Sequence, residues 1–315
     1  MSSSPPPPPP RPIYEAPADE HRLVPAGWLD QSPVTRMLLA LNVCVFAAQA
    51  FVTQQVSNLP TPQALALGAS YSLATIAEGR YETLVTACFL HAGLLHLGFN
   101  MLALWQAGPL VERSVGSARM APMYLVAGAF GNLLSVLFGW FSNQGGLTVG
   151  ASGAISGCIG AALVVQWRTT GWRGPLTQAM ARWLGLVVAF GVVSNFGGAR
   201  IDNAAHIGGA VAGAAIASLW KRGARYSPRA TTAVLLACAG VLVGCVAVLI
   251  VRDRTDRFAV MDLQERALFT GEALEDGRCG DAHEGLRAVE REGARIDAGA
   301  SLRKAFVTPC GHVPN

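Results

Sequence analysis

Apolar residues gather in seven runs along the middle of this chain, near residues 34–53, 89–111, 118–140, 149–167, 181–197, 203–220 and 230–251. A helix needs about 20 largely apolar residues to cross the hydrocarbon core of a bilayer. Each run therefore predicts a membrane-crossing helix. The run at 181–197 is the most dilute, since Gly185, Gly191 and Ser194 interrupt it. No internal repeat organises the runs. Polar segments flank and divide them. Residues 1–33 form a Pro-rich tail expected to be disordered, with prolines at every position from 5 to 10. Such a run favours polyproline II and cannot pack a core. A solvated tail and a ligand for a proline-binding domain both fit it. Residues 221–229 read as a basic linker. Residues 252–315 are charged but scattered with Leu263, Leu268, Leu286, Val289, Ile296, Leu302 and Phe306. That pattern predicts a small helical appendage.

Composition agrees with the runs. The 315 residues are 51% hydrophobic and 14% charged, with a mean hydropathy of +0.36. Soluble domains carry about 25% charged residues. The expected fold class is all-α, a polytopic membrane helix bundle. A net charge of +4, spread along the chain, points to no nucleic-acid partner. The opening residues do not read as a cleavable signal peptide. Cys44, Cys88, Cys158, Cys238 and Cys245 lie in apolar runs, where cysteine acts as a small hydrophobe. Neither a CxxC pair nor a zinc-type Cys/His spacing occurs.

Basic residues in short loops orient the bundle. Arg36 precedes the first run; Arg113 and Arg119 lie in the second loop, and Arg168, Arg173 and Arg182 in the fourth. The sixth loop holds Lys221, Arg222, Arg225 and Arg229. The third loop has no basic residue and the fifth only Arg200. The alternation places the N-terminus in the cytoplasm and the tail after the seventh run outside it. Arg252, Arg254 and Arg257 break the pattern, accompanied by Asp253 and Asp256.

With this orientation the second, fourth and sixth runs all start on the outer side. His91, His96 and Asn100 then share one leaflet with Ser152 and His206. Polar groups in hydrocarbon are costly unless they satisfy one another or do chemistry. Short side chains on two helices meet only if the backbones approach closely. Gly153 and Gly157 make a GxxxG on the fourth run, and Gly209 and Gly213 another on the sixth. Such rows permit tight crossings in membranes. Serine is a weak nucleophile without a base in reach, and histidine supplies one. No carboxylate lies on these runs to orient the imidazole, since Asp202 sits in the fifth loop. A Ser-His dyad is expected, with the Ser152 backbone N–H, His96 and Asn100 as donors to a developing oxyanion. A plain packing role for each group, a metal site and a proton relay are the alternatives.

These residues resemble the rhomboid family of intramembrane serine proteases, over residues 36–220. Phe89-Leu90-His91-Ala92-Gly93-Leu94-Leu95-His96-Leu97-Gly98-Phe99-Asn100 is similar to the family's HxxxxHxxxN pattern. Gly108-Pro109-Leu110-Val111-Glu112-Arg113-Ser114-Val115-Gly116 resembles its ExxxG turn. Gly150-Ala151-Ser152-Gly153 resembles the GxSG nucleophile motif, and Ala205-His206-Ile207-Gly208-Gly209-Ala210-Val211-Ala212-Gly213 the histidine with its glycine row. The resemblance implies Ser152 as nucleophile, His206 as general base and then acid, and His96 and Asn100 in the oxyanion hole. It also implies His91 at the water-filled mouth of the site. Substrates would be transmembrane helices of other proteins, cleaved in or beside the bilayer, with no cofactor and no metal. The expected organisation is a six-helix core over 34–220, the linker 221–229, a seventh helix at 230–251 and an extracytoplasmic tail at 252–315, in a bacterial inner (plasma) membrane. An inactive relative that binds client helices, and a small transporter, are the rival readings. Two positions depart from the family. Ser156 stands where Tyr or Phe is frequent, and Glu82-Thr83 where a Trp-Arg pair is usual.

Outside the cytoplasm Cys279 and Cys310 would meet an oxidising compartment. A disulfide between them would close a loop of about thirty residues, contributing on the order of 3–4 kcal/mol. Two free thiols are the alternative.

Overall fold

The computed structural model describes residues 31–142, 147–196, 201–221, 226–255, 263–293 and 310. The tail up to residue 30, the middle of the basic linker, and Ile296, Leu302 and Phe306 lie outside the described residues. Helix α1 (Pro33–Thr53) opens the bundle. A structured first loop follows, with α2 (Thr61–Ala66), strand β1 (Ser70–Tyr71), α3 (Ser72–Ala77), α4 (Thr83–Thr86) and a 3-10 turn (Ala87–Phe89). Next come α5 (Leu94–Val115), α6 (Ser117–Ser142), strand β2 (Leu147–Thr148), α7 (Ser152–Thr170), α8 (Pro175–Phe196) and α9 (Asn203–Ser218). The chain continues through α10 (Pro228–Thr255), α11 (Leu263–Glu275) and α12 (Cys279–Gly293).

Pro33, Pro175 and Pro228 open α1, α8 and α10. Proline suits a first helical turn, whose N–H has no intrahelical partner in any case. Among the described residues, α1, α5, α6, α8 and α10 are long and apolar enough to cross a membrane. That is the pattern of an integral multi-pass membrane protein. Leu186, Phe190, Val193 and Phe196 on α8, and Leu236, Val243 and Val251 on α10, face outward. In water such apolar surface would be a liability; in lipid it is the solvent-facing side.

Helices α7 and α9 do not meet the same measure, α7 because of its place in the bundle and α9 because it is short. Helix α7 packs on α5, α6, α8 and α9. Every residue of α7 from Gly153 to Ala162 is buried. A helix surrounded by protein needs small side chains rather than lipid-facing bulk. Helix α9 has 16 residues, about 24 Å of rise. The second run also differs from expectation: its helix starts at Leu94, because residues 87–89 form a 3-10 turn and Gly93 is extended (φ 174°).

Buried polar groups fasten the elements to one another. Glu112, three per cent exposed, accepts the Val34 N–H (3.0 Å), the Thr35 N–H (2.9 Å), the Thr35 hydroxyl (2.8 Å) and the Ser117 hydroxyl (2.6 Å). It satisfies orphan donors of α1, whose own Ser32 makes no side-chain cap. Gly116 (φ +85°) ends α5 in a conformation that favours glycine.

The end of α10 meets the first loop. Arg80, one per cent exposed, donates to Asp253 Oδ1 (3.1 Å) and lies 3.7 Å from Glu82. Arg252 donates to the Glu78 and Gly79 carbonyls (3.0 and 3.1 Å), and the buried Arg266 on α11 pairs with Glu78. Asp253 and Arg252, which accompany the break in the basic pattern, thus belong to an ion network spanning more than 170 residues of sequence. In the tail, Ala273, Leu274, Ala282 and Leu286 form a small core against Cys310. Cys279 and Cys310 are bonded through their sulfurs.

Removing one partner of a buried ion pair strands the other, at a cost of about 3–5 kcal/mol. Arg80→Ala is expected to lower the thermal unfolding midpoint of the micelle-solubilised protein clearly. Arg278→Ala, at an exposed pair with Asp276 and Asp281, is expected to change little. Equal midpoints for the two variants would contradict the network's contribution.

Candidate active site

Each group at the site is carried by the start of a helix or the strand leading into one. Strand β2 pairs antiparallel with β1, Ser70 opposite Thr148 and Tyr71 opposite Leu147. The Gly150 N–H then donates to the Ala87 carbonyl (2.9 Å). The first loop therefore holds the turn that enters α7. Gly150 has φ +123°, a region that side chains rarely tolerate, and a Cβ there would lie 2.7 Å from the His96 ring. Glycine is required twice over, by the turn and by the close approach of the imidazole.

Ser152 is the first residue of α7. His206 lies in the first turn of α9, and its Nε2 is 2.8 Å from Ser152 Oγ. Glycines make this distance attainable. A Cβ on Gly209 would land on the Gly153 carbonyl oxygen, and one on Gly213 on the Gly157 carbonyl oxygen. A Cβ on Gly153 would be 3.2 Å from the Ala205 carbonyl oxygen, and one on Gly157 3.0 Å from that of Gly209. All four glycines singled out in the sequence thus lie in one backbone-to-backbone contact.

His206 Nδ1 is buried and has no hydrogen-bond partner among the described residues. The Asp202 carboxylate, four residues earlier, does not bond the ring; it is taken up by Ala205, Ser135 and Thr148. The ring therefore contacts the Ser152 hydroxyl and, among the described residues, no carboxylate.

His96 sits on the other side of Gly150. Its Nδ1 accepts the Ala92 N–H (3.3 Å), which leaves Nε2 as the protonated, donating nitrogen. Asn100 is buried one turn along α5, and its Nδ2 donates to the His96 carbonyl (2.9 Å). An amide carries two N–H donors, so one is left. The first N–H groups of α7 have no intrahelical acceptor either. The His96 ring and the Asn100 amide thus lie beside Gly150, two residues before Ser152 at the start of α7.

His91 is not at a mouth. It is fully buried (0% exposed), edge-on to Phe46 (6.4 Å) and to His96 (5.4 Å), while its backbone is held by Gln49 (2.7 and 3.2 Å). The resemblance implied the mouth, and the second run placed the residue near the outer end of a helix. The residue instead precedes α5, where the loop turns back onto α1. Ser156 is buried within α7. No group of three His, Cys, Asp or Glu residues able to hold a metal occurs among the described residues.

Sequence reasoning set Asp202 aside as a loop residue. It is the N-cap of α9. An aspartate directly before a helical run is the signal that could have found it.

Residues 78–223 match the family model described as the Rhomboid domain. The chain is 34% identical over 205 residues to the rhomboid protease GluP of Bacillus subtilis (strain 168), covering 64% of this chain and 38% of that protein. It is 34% identical over 143 residues to the Rhomboid-type serine protease 2 of Emericella nidulans, covering 44% of this chain and 27% of the other. RHOMBOID-like protein 1 of Arabidopsis thaliana is 34% identical over 133 residues, 41% of this chain and 32% of that one. The chain thus spans less than half the length of each of these relatives.

Proposed function

We propose, from the premise that residues 78–223 make this chain a rhomboid-family protein, that it is an intramembrane serine endopeptidase cleaving transmembrane helices of other membrane proteins. The observation that carries the reading is the 2.8 Å contact between Ser152 Oγ and His206 Nε2. A binding module for client helices has no need of a hydroxyl within proton-transfer distance of an imidazole, framed by free donors.

His206 Nε2 takes the Ser152 proton as Oγ attacks the scissile carbonyl carbon. The carbonyl oxygen becomes an oxyanion, met by the Ser152 N–H, His96 Nε2–H and the second Asn100 N–H. As the C–N bond breaks, the imidazolium returns the proton to the leaving amine. A water, deprotonated by the same imidazole, then attacks the acyl-enzyme and releases Ser152. Water must reach the site from one membrane face. The starts of α5, α7 and α9 lie together at one end of the bundle, which suits such access.

The membrane reading places α1 and α5 to α9 as a six-helix core and α10 as a seventh span. On this reading the N-terminus is cytoplasmic, as the basic loops suggest, the first loop, the site and the tail are outside, and the membrane is a bacterial inner membrane. The contacts of Arg252 and Asp253 with the first loop support that tail placement, since they keep the end of α10 on the first loop's side.

Purified full-length protein in micelles is expected to take one fluorophosphonate label, mapped by peptide mass spectrometry to Ser152. A labelled serine elsewhere, or a properly folded protein that takes no label and cleaves no single-span reporter, would overturn the assignment.

A further inference from the structure

Helix α9 brings His206 to Ser152, yet with 16 residues it is the shortest helix of the bundle's core. It is held at both ends by charged side chains. At its C-terminus the Arg168 guanidinium of α7 donates to the carbonyls of Ala217 (3.2 Å), Ser218 (3.0 Å) and Trp220 (3.3 Å), satisfying acceptors the helix leaves open. At its N-terminus stands Asp202.

A simple N-cap uses one side-chain oxygen. Asp202 uses two. Oδ1 accepts the Ala205 N–H (2.9 Å), and the Asp202 carbonyl accepts the His206 N–H (3.2 Å). Oδ2 points the other way and is bonded by the Ser135 hydroxyl of α6, with Thr148 Oγ1 of β2 at 3.1 Å. The two hydroxyls are themselves 2.8 Å apart. Two hydroxyl protons serve three contacts, so Ser135 donates to the carboxylate and Thr148 donates to Oδ2 or to Ser135. Ser135 and Thr148 are both buried. Thr148 lies four residues before Ser152, and Asp202 four before His206.

We propose that Asp202 is a positioning residue for the Ser152–His206 pair, clamping the start of the histidine helix to the strand that leads into the nucleophile turn. The proposal rests on the protease reading above. The carboxylate does not touch the imidazole. It acts through the backbone, tying two segments 54 residues apart in sequence at the end of the bundle where the dyad forms. The glycine rows set how close α7 and α9 lie. A slide of α9 at its N-terminus would open the Ser152–His206 bond. The Asp202–Ser135–Thr148 cluster resists that slide.

The test compares full-length variants on a single-span reporter, with the folded fraction measured by thermal unfolding. A displacement of about 1 Å at a reacting pair costs on the order of 10²-fold in rate. Asp202→Ala is expected to lower kcat by about that factor with KM for the reporter unchanged, and to slow fluorophosphonate labelling of Ser152 in parallel. Asp202→Asn is expected to recover most of the rate, because its Oδ1 can cap Ala205 while its amide donates to the Ser135 oxygen. The pair Ser135→Ala with Thr148→Val leaves the cap intact, so α9 keeps its start; it is expected to reproduce the kcat loss. Retained kcat in Asp202→Ala or in that pair overturns the proposal, as does an Asn variant as slow as Ala, which would make charge the cause. In each of those outcomes a labelled wild type leaves the protease reading standing. Absence of labelling in the wild type would instead remove the reading itself.

Discussion

Ser152→Ala is expected to abolish cleavage of a single-span reporter, and His206→Ala to come close to it. The two groups act as one unit, since the hydroxyl is a poor nucleophile until the imidazole 2.8 Å away accepts its proton. Losing either member of such a unit costs about as much as losing both; in a well-studied serine protease the loss is about 10⁶-fold in kcat. The double variant is therefore expected to be no slower than either single one. Both variants should insert and unfold as the wild type does. Ser152→Ala removes a single oxygen atom, and the contact between α7 and α9 is made by backbone and glycine rather than by these side chains. Cleavage read by gel, with unfolding midpoints in the same micelles, checks both halves. Additive losses in the double variant, or equal cleavage by Ser152→Ala and wild type, would sink the dyad.

Gly213→Val is expected to have the second largest effect, and through a different cause. Its Cβ would overlap the Gly157 carbonyl oxygen. Backbone cannot swing aside as a long side chain can, so α7 and α9 must part. Overpacking of this kind typically costs about 1–3 kcal/mol. The activity loss should be larger than that suggests, because an added separation of about 1 Å is worth on the order of 10²-fold. Gly209→Val should behave likewise against the Gly153 carbonyl. Gly185→Ala on α8, where nothing lies within 4 Å, is the matched control. It should keep activity and gain stability slightly, by less than about 1 kcal/mol. Comparable activity in Gly213→Val and Gly185→Ala would show that the glycine row does not set the Ser-His distance.

Much of this was legible in the residues themselves. Runs of apolar residues the length of a bilayer crossing have few other readings, so the helices could be placed. Ser152 and His206 stood out because a polar group in such a run is costly, and because each begins a row of glycines. The start of α5 was misplaced for a local reason. Hydropathy carried the second run back through Phe89 and Leu90, whereas the backbone makes a 3-10 turn there and starts α5 at Leu94. Hydropathy cannot separate an apolar helix from an apolar loop folded against α1.

Other features had no trace along the chain. Glu112 reaches across to cap α1, 78 residues away, and Arg80 meets Asp253 after 173. Asp202 carried a local signal for its cap, but none for its bonds to Ser135 and Thr148. Such pairings have no periodicity, because they depend on which loops the folded bundle brings together. The interior position of α7 belongs to the same class: its run of small residues is explained only once the surrounding helices are known.

By itself the sequence determined the helical runs, the rare polar groups within them and the glycines that allow close approach, since all of these follow from local length, spacing and side-chain size. Only the tertiary structure decided that Ser152 and His206 meet at 2.8 Å without a carboxylate on the ring, that Asp202 joins the two segments carrying them, and that the first loop is fastened to α10 and α11. Each of these is a contact between residues far apart in the chain, and its energy exists only once packing has removed the water between them.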